Sequence, residues 1–210
     1  GAGGHAATNS ASLTTLDNTD HFIGEQSTIF NGYFDGHIDK TKIAFLGHST
    51  GGEGIVRAYT RVLNNEYTPE HFELEDIKLL CPFAPTAWQT NDLTDPDFAN
   101  FHLFSCGADT DCSLFPCPEN HWRQSFSIFE RSKGNRQLTY IHGAGHTDLN
   151  DCVIGCNPWV DTLAPDLIGK ENTHLVVKSY LLPLLELYLN SNPAGEEYFT
   201  RMYDDFHPVG

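Results

Sequence analysis

Four apolar runs along the chain have the length and the β-branched or aromatic content of buried strands. They cover residues 42–47, 77–82, 101–106 and 137–142, the third reading Phe101-His102-Leu103-Phe104-Ser105-Cys106. Between and after them the spacing changes to that of helices. Ile55, Ala58, Tyr59 and Val62 recur at i, i+3, i+4 and i+7, so 52–64 is predicted to be an amphipathic helix. Further helices are expected over 119–132 and 173–190, with a long loop at 150–171. Strands alternating with helices predict an α/β fold: a mainly parallel sheet with right-handed crossovers, flanked by helices. Ahead of Ile43 the pattern is different. Phe22-Ile23, Ile29-Phe30 and Tyr33-Phe34 are apolar pairs set among polar residues, which suits one or two short helices over 11–16 and 20–30 but no strand. The apolar stretch 174–189 is interrupted by Lys178, Pro183 and Glu186, so it reads as a buried C-terminal helix. No run reaches the roughly 18 residues that cross a bilayer.

The first strand ends in Gly47-His48-Ser49-Thr50-Gly51, a G-x-S-x-G motif between a strand and a helix. In that context the serine is expected in a strained turn, its hydroxyl exposed and its flanking glycines required because a side chain at either would crowd the turn. Ser49 is therefore the candidate nucleophile. An alcohol needs a base, and the base needs an orienting acid. Asp109 follows the third strand and His146 follows the fourth, in the order Ser, Asp, His that this elbow takes. Asp111 is the alternative acid, less favoured because it lies farther from the strand end. His142 is assigned to the strand as a core histidine, and His48 to packing beneath the nucleophile. Glu53 reads as a carboxylate favourable at a helix N-terminus. The segment Ala84-Pro85-Thr86-Ala87-Trp88 would overhang the serine, making Trp88 a candidate wall of a substrate pocket; an ordinary packed Trp is an equal alternative. Residues 152–165, with Trp159, are a candidate partial lid.

The segment from Gly47 to Gly54, the Asp109-Thr110-Asp111 loop, the Gly143-Ala144-Gly145-His146 loop and the tail around Tyr180 to Tyr198 together resemble bacterial α/β-hydrolases. Secreted serine esterases and lipases are the nearest in pattern, with polyester and dienelactone hydrolases more distant. The resemblance covers most of residues 20–205. It implies hydrolysis of carboxylic esters, small or polymeric, through an acyl-enzyme, with no cofactor. A peptidase or acyltransferase on the same three residues is the alternative enzyme, and a non-catalytic hydrolase shell acting as a binding module the alternative class. Members often carry a basic residue where this chain has Thr50. That position contributes a backbone N–H to the oxyanion hole, so the chemistry is unaffected while the substrate class stays open. The second oxyanion donor of such folds follows an earlier strand, and no strand is expected before Ile43. Residues 1–210 thus read as a single domain, the C-terminal two-thirds of the usual fold, truncated at the N-terminal side. The opening residues carry no signal-peptide pattern. Loss of one oxyanion donor would cost about 10²–10³ in turnover, and the bared strand would form an edge prone to pairing with a second copy.

Composition adds less. With 210 residues and 40% hydrophobic content the chain suits one soluble core. Its 28 acidic and 12 basic residues give a net charge of −16, which argues against nucleic acid and anionic membrane partners. Six cysteines, an even number, suit a secreted or periplasmic protein with disulfides. Cys81 and Cys106 fall in strands and read as buried thiols. Cys112, Cys117, Cys152 and Cys156 fall in loops near the candidate acid and histidine, where disulfides would staple the active face. With His121 they also hold the ingredients of a zinc site, but their spacings miss zinc's usual short ligand pairs, so no metal is expected.

Overall fold

A computed structural model describes residues 2–88, 92–109, 121–151 and 167–200. Among these residues nine main elements follow one another: α1 (Ala2–Gly24), β1 (Ile43–His48), α2 (Thr50–Leu63), β2 (Ile77–Phe83), β3 (Phe101–Cys106), α3 (His121–Arg131), β4 (Arg136–Ile141), α4 (Gly169–Asn190) and α5 (Pro193–Thr200). The four strands form one all-parallel sheet in the order β1-β2-β3-β4. Helices α2 and α3 make the crossovers from β1 to β2 and from β3 to β4, whereas β2 and β3 are consecutive, with no helix among the described residues that join them. The protein is α/β.

Helices cover both faces of the sheet, which is why β2 and β3 are almost continuously apolar rather than alternating. One layer joins Leu80, Phe101 and Leu103 to Ile55, Val56 and Tyr59 of α2, Leu16 and Ile23 of α1 and Ile128 of α3. The opposite layer packs Leu79, Cys81, Phe104 and Cys106 against Leu184 of α4 and its neighbours. Pairing skips Lys78 between Ile43↔Ile77 and Ala44↔Leu79. This bulge explains how Ile77 and Leu79, two apart in sequence, face opposite layers. Cys81 and Cys106 are buried thiols, as expected, and burial pushes the Cys81 thiol well above its ordinary value. The four loop cysteines lie outside the described residues.

Three expectations change. The N-terminal region forms one long helix, α1, rather than one or two short ones. Its buried stripe contains Thr8, Ser12, Leu16 and Ile23, half of it polar, so hydrophobic spacing alone does not reveal it. Packing on α2 sustains it despite Gly3, Gly4 and several threonines, residues of poor helix propensity. A Cβ at Gly54 of α2 would come within 2.6 Å of the Ala11 Cβ, so the two helices meet at a glycine. Second, α4 runs unbroken through Pro183 and exposes Leu175 and Leu182, so it is a covering helix and not a fully buried one. Third, β4 ends at Ile141, leaving His142 exposed in the following turn rather than in the core. The buried histidine of this region is His102 on β3, whose Nε2 lies 2.8 Å from Thr139 Oγ1 of β4. No helix among the described residues is long and apolar enough to cross a membrane.

Candidate active site

The C-terminal ends of β1, β3 and β4 converge on one place. Ser49 sits between β1 and α2 with φ 57° and ψ −125°, a conformation that few residues other than glycine adopt. Its amide donates to Phe83 O at 3.0 Å, and its carbonyl accepts from Thr86 N at 3.2 Å and from Glu53 N at 3.2 Å. The glycines around it do unequal work. A Cβ on Gly47 would lie 2.4 Å from Gly51 O, and one on Gly52 2.9 Å from Gly47 O and 3.0 Å from Pro85 Cβ. At Gly51 a Cβ meets nothing within 4 Å. Gly47 and Gly52 therefore allow the close approach of helix to strand. The expectation that Gly51 is sterically required does not hold.

His146 Nε2 stands 3.0 Å from Ser49 Oγ, and His146 Nδ1 stands 2.8 Å from Asp109 Oδ2. The three groups lie far apart in sequence and meet because the sheet is parallel, so that the loops leave it at the same end. The acid and histidine loops are joined by an extension of the β3–β4 pairing. Gly107 N donates to Ile141 O at 2.8 Å, and Ala108 N to Ala144 O at 2.9 Å. Gly143 has φ 72°, which lets the chain turn back over the sheet. Asp148 Oδ2 accepts the Gly145 N–H at 2.9 Å and Ile168 N donates to Gly143 O at 2.9 Å, which fixes the loop on both sides of the imidazole. A carboxylate offers acceptors and no donor, so opposite Asp109 the His146 Nδ1 carries the proton and Nε2 presents its lone pair to Ser49. A hydroxyl held at that nitrogen is an alcohol poised to lose its proton.

The other sequence-derived candidates fall as follows. Thr50 opens α2, so its N–H is among those at a helix start with no partner inside the helix. The His48 ring packs against His146, with centroids 4.6 Å apart, and thus borders the base. Trp88 is half-buried and lies against α1, where a Cβ on Gly4 would come 2.4 Å from its ring. Its backbone N–H donates to Glu53 Oε2 at 2.8 Å. Asp111, the lid candidate at 152–165 and the cysteines weighed as zinc ligands lie outside the described residues. Among the described residues, one group of three potential metal-binding side chains occurs, Asp20, Glu70 and His71. Its Asp20 carboxylate already accepts the backbone N–H groups of Glu70 and His71, tying α1 to the loop before β2.

Glu53 is the residue most misread from sequence. It is 0% exposed, and one oxygen, Oε2, accepts hydrogen bonds from Thr8 Oγ1, Thr86 Oγ1 and Trp88 N. A signal was present in Gly52-Glu53-Gly54: glycines on both sides of an acid in a helix mark close approach of other elements, here Pro85 and Ala11.

A scan against protein-family models gives no match, and neither does a search of curated proteins.

Proposed function

We propose that the chain is a serine hydrolase of the α/β-hydrolase type that cleaves carboxylic esters through an acyl-enzyme. The observation that carries this reading is the Ser49–His146–Asp109 relay, with 3.0 Å and 2.8 Å links, at the C-terminal end of a parallel sheet. In this mechanism His146 Nε2 takes the Ser49 proton as Oγ attacks the acyl carbon. The resulting imidazolium is stabilised by the Asp109 carboxylate on Nδ1. Collapse of the tetrahedral intermediate releases the alcohol, which receives that proton from His146. Water then repeats the sequence on the acyl-enzyme and frees Ser49. The Thr50 N–H, at the positive end of α2, is the proposed oxyanion donor. No residue in this scheme calls for a cofactor.

A fluorophosphonate reagent tests the assignment directly. It should attach to Ser49, identified by peptide mass spectrometry, and Ser49→Ala should remove the label. Labelling that persists in Ser49→Ala would give the nucleophile role to another residue.

Secretion or periplasmic location, with disulfides among Cys112, Cys117, Cys152 and Cys156, belongs to the same proposal and rests on the even cysteine number. The partner proposal rests on the sheet. Among the described residues β1 is an edge strand, and its six residues contain neither proline nor a formal charge, the usual protections of an edge. Leu46 on this strand is 41% exposed. Pairing of β1 with β1 of a second copy would complete its backbone hydrogen bonds. Sedimentation is expected to find a dimer that Leu46→Lys weakens; a monomer at all concentrations would exclude this pairing.

A further inference from the structure

We propose that Glu53 is a positioning residue of the nucleophile: its buried carboxylate holds the 84–88 segment, and through that segment the strained backbone of Ser49. The proposal rests on the ester-hydrolase reading for its consequence in turnover, although the clamp itself can be measured without it.

Ser49 keeps a costly backbone conformation only if its surroundings prevent relaxation. Two of the three hydrogen bonds on its peptide groups, to Phe83 O and from Thr86 N, come from the end of β2 and the segment that follows. That segment is itself strained, with Ala84 at φ 40°. It is held from three directions. Ala84 N donates to Phe104 O at 2.8 Å, Ser125 Oγ donates to Pro85 O at 3.1 Å, and Glu53 Oε2 accepts from Thr86 Oγ1 and Trp88 N, each at 2.8 Å. Thr86 is thus gripped on both sides, by its N–H to Ser49 and by its hydroxyl to Glu53. The third donor on the same oxygen, Thr8 Oγ1 at 3.1 Å, belongs to α1 and not to the segment or the elbow.

Burying a carboxylate is expensive, and a well-packed apolar side chain would serve better if joining α1 to α2 were its whole purpose. An ionised acid offers what a neutral side chain does not: an oxygen that accepts several strong hydrogen bonds at once. The Arg131 guanidinium is held below its ordinary value by burial, and the negative charges of Asp95 and Glu53 act the other way. The arrangement is a buried carboxyl pin set one helical turn behind the nucleophile.

Three variants separate a pin on the elbow from a plain tie between helices. Glu53→Gln weakens every bond to the acid, Thr86→Val removes the side-chain link to the segment and leaves the Trp88 N–H link, and Thr8→Val removes only the link to α1. Each is compared with the native chain at a temperature where circular dichroism finds it folded. Turnover of a p-nitrophenyl ester should fall about 10- to 100-fold in Glu53→Gln and Thr86→Val, with KM within about twofold. Thr8→Val should lower Tm while leaving kcat within about twofold. Amide exchange by mass spectrometry gives the readout that needs no activity. Peptides covering 47–51 and 84–88 should exchange faster in the first two variants and at the native rate in Thr8→Val. Native exchange in both peptides of folded Glu53→Gln overturns the proposal, as does an equal effect of Thr8→Val and Thr86→Val. A native chain that neither turns over esters nor reacts with fluorophosphonate would instead remove the hydrolase reading, leaving the exchange comparison to decide whether Glu53 holds the elbow.

Discussion

His146→Ala should lower ester turnover by about four to six orders of magnitude, and Asp109→Asn by about four. The two losses have different causes. Without His146 nothing at 3.0 Å from Ser49 Oγ receives its proton, and the neutral alcohol is a weak nucleophile. In Asp109→Asn the ring still has a partner at its Nδ1, but the amide's N–H can direct a donor there, turning the imidazole into the tautomer that points a proton at Ser49. The cost is then one of orientation and of lost charge. In the native chain, turnover should rise with pH along a single limb as the base loses its proton. His142→Ala is the control: that side chain is exposed beyond the end of β4, and its loss should leave kcat within about twofold. Full activity in His146→Ala, or a large loss in His142→Ala, would move the base to the other histidine. Steady-state kinetics on the folded variants, with the pH profile of the native chain, decides between them.

Sequence patterning reached the sheet and the relay for the same physical reason. Strands buried on both faces are short and nearly all apolar, so β2 and β3 stand out, and Phe101–Cys106 is found at its expected bounds. Functional groups of a parallel sheet leave strands at one end, so glycine-containing loops after the first, third and fourth apolar runs are enough to suggest Ser49, Asp109 and His146. What stayed hidden is the contribution of polar burial. Helix α1 presents Thr8 and Ser12 to its interface, and Arg61 Nε donates to Ser12 Oγ at 2.9 Å, so the contact carries no hydrophobic period. Glu53 was hidden by the same contact. Within α2 only the glycines that flank Glu53 hint that another element covers its first turns, and without that cover an acid at a helix start belongs at the surface. Arg57 is similar: it is buried and bonded to Glu66 at 2.6 Å, a pairing set by the turn after α2.

The buried histidine on β3 should make the fold sensitive to mild acid. His102 is 2% exposed, and burial lowers its pKa from 6.5 to about 4, opposed in part by its hydrogen bond with Gln137. Its Nδ1 faces Gln137 Oε1 at 3.4 Å and its Nε2 faces Thr139 Oγ1 at 2.8 Å, so a neutral ring donates to the amide oxygen and accepts from the hydroxyl. Phe104 and Phe199 pack on the ring, with centroids 4.7 Å and 5.8 Å away. Protonation places a charge among these groups. In the unfolded chain the same imidazole takes up its proton near 6.5, so between 6.5 and about 4 the unfolded state binds more protons. Stability contributed by this residue is complete above 6.5 and is lost as pH falls towards 4, on the order of 3 kcal/mol in all. Carboxylates held low by partners, such as Glu66 beside Arg57, lose their contribution only at lower pH, as they approach protonation. Urea unfolding at several pH values between 7.5 and 4.5 isolates the effect when native chain and His102→Gln are compared. Gln does not titrate, so the native chain's advantage at pH 7.5 should shrink steadily below 6.5. A stability difference that stays constant across that interval would mean that the folded state admits the proton on His102, and that the cluster of Thr139, Gln137, Phe104 and Phe199 does not exclude it.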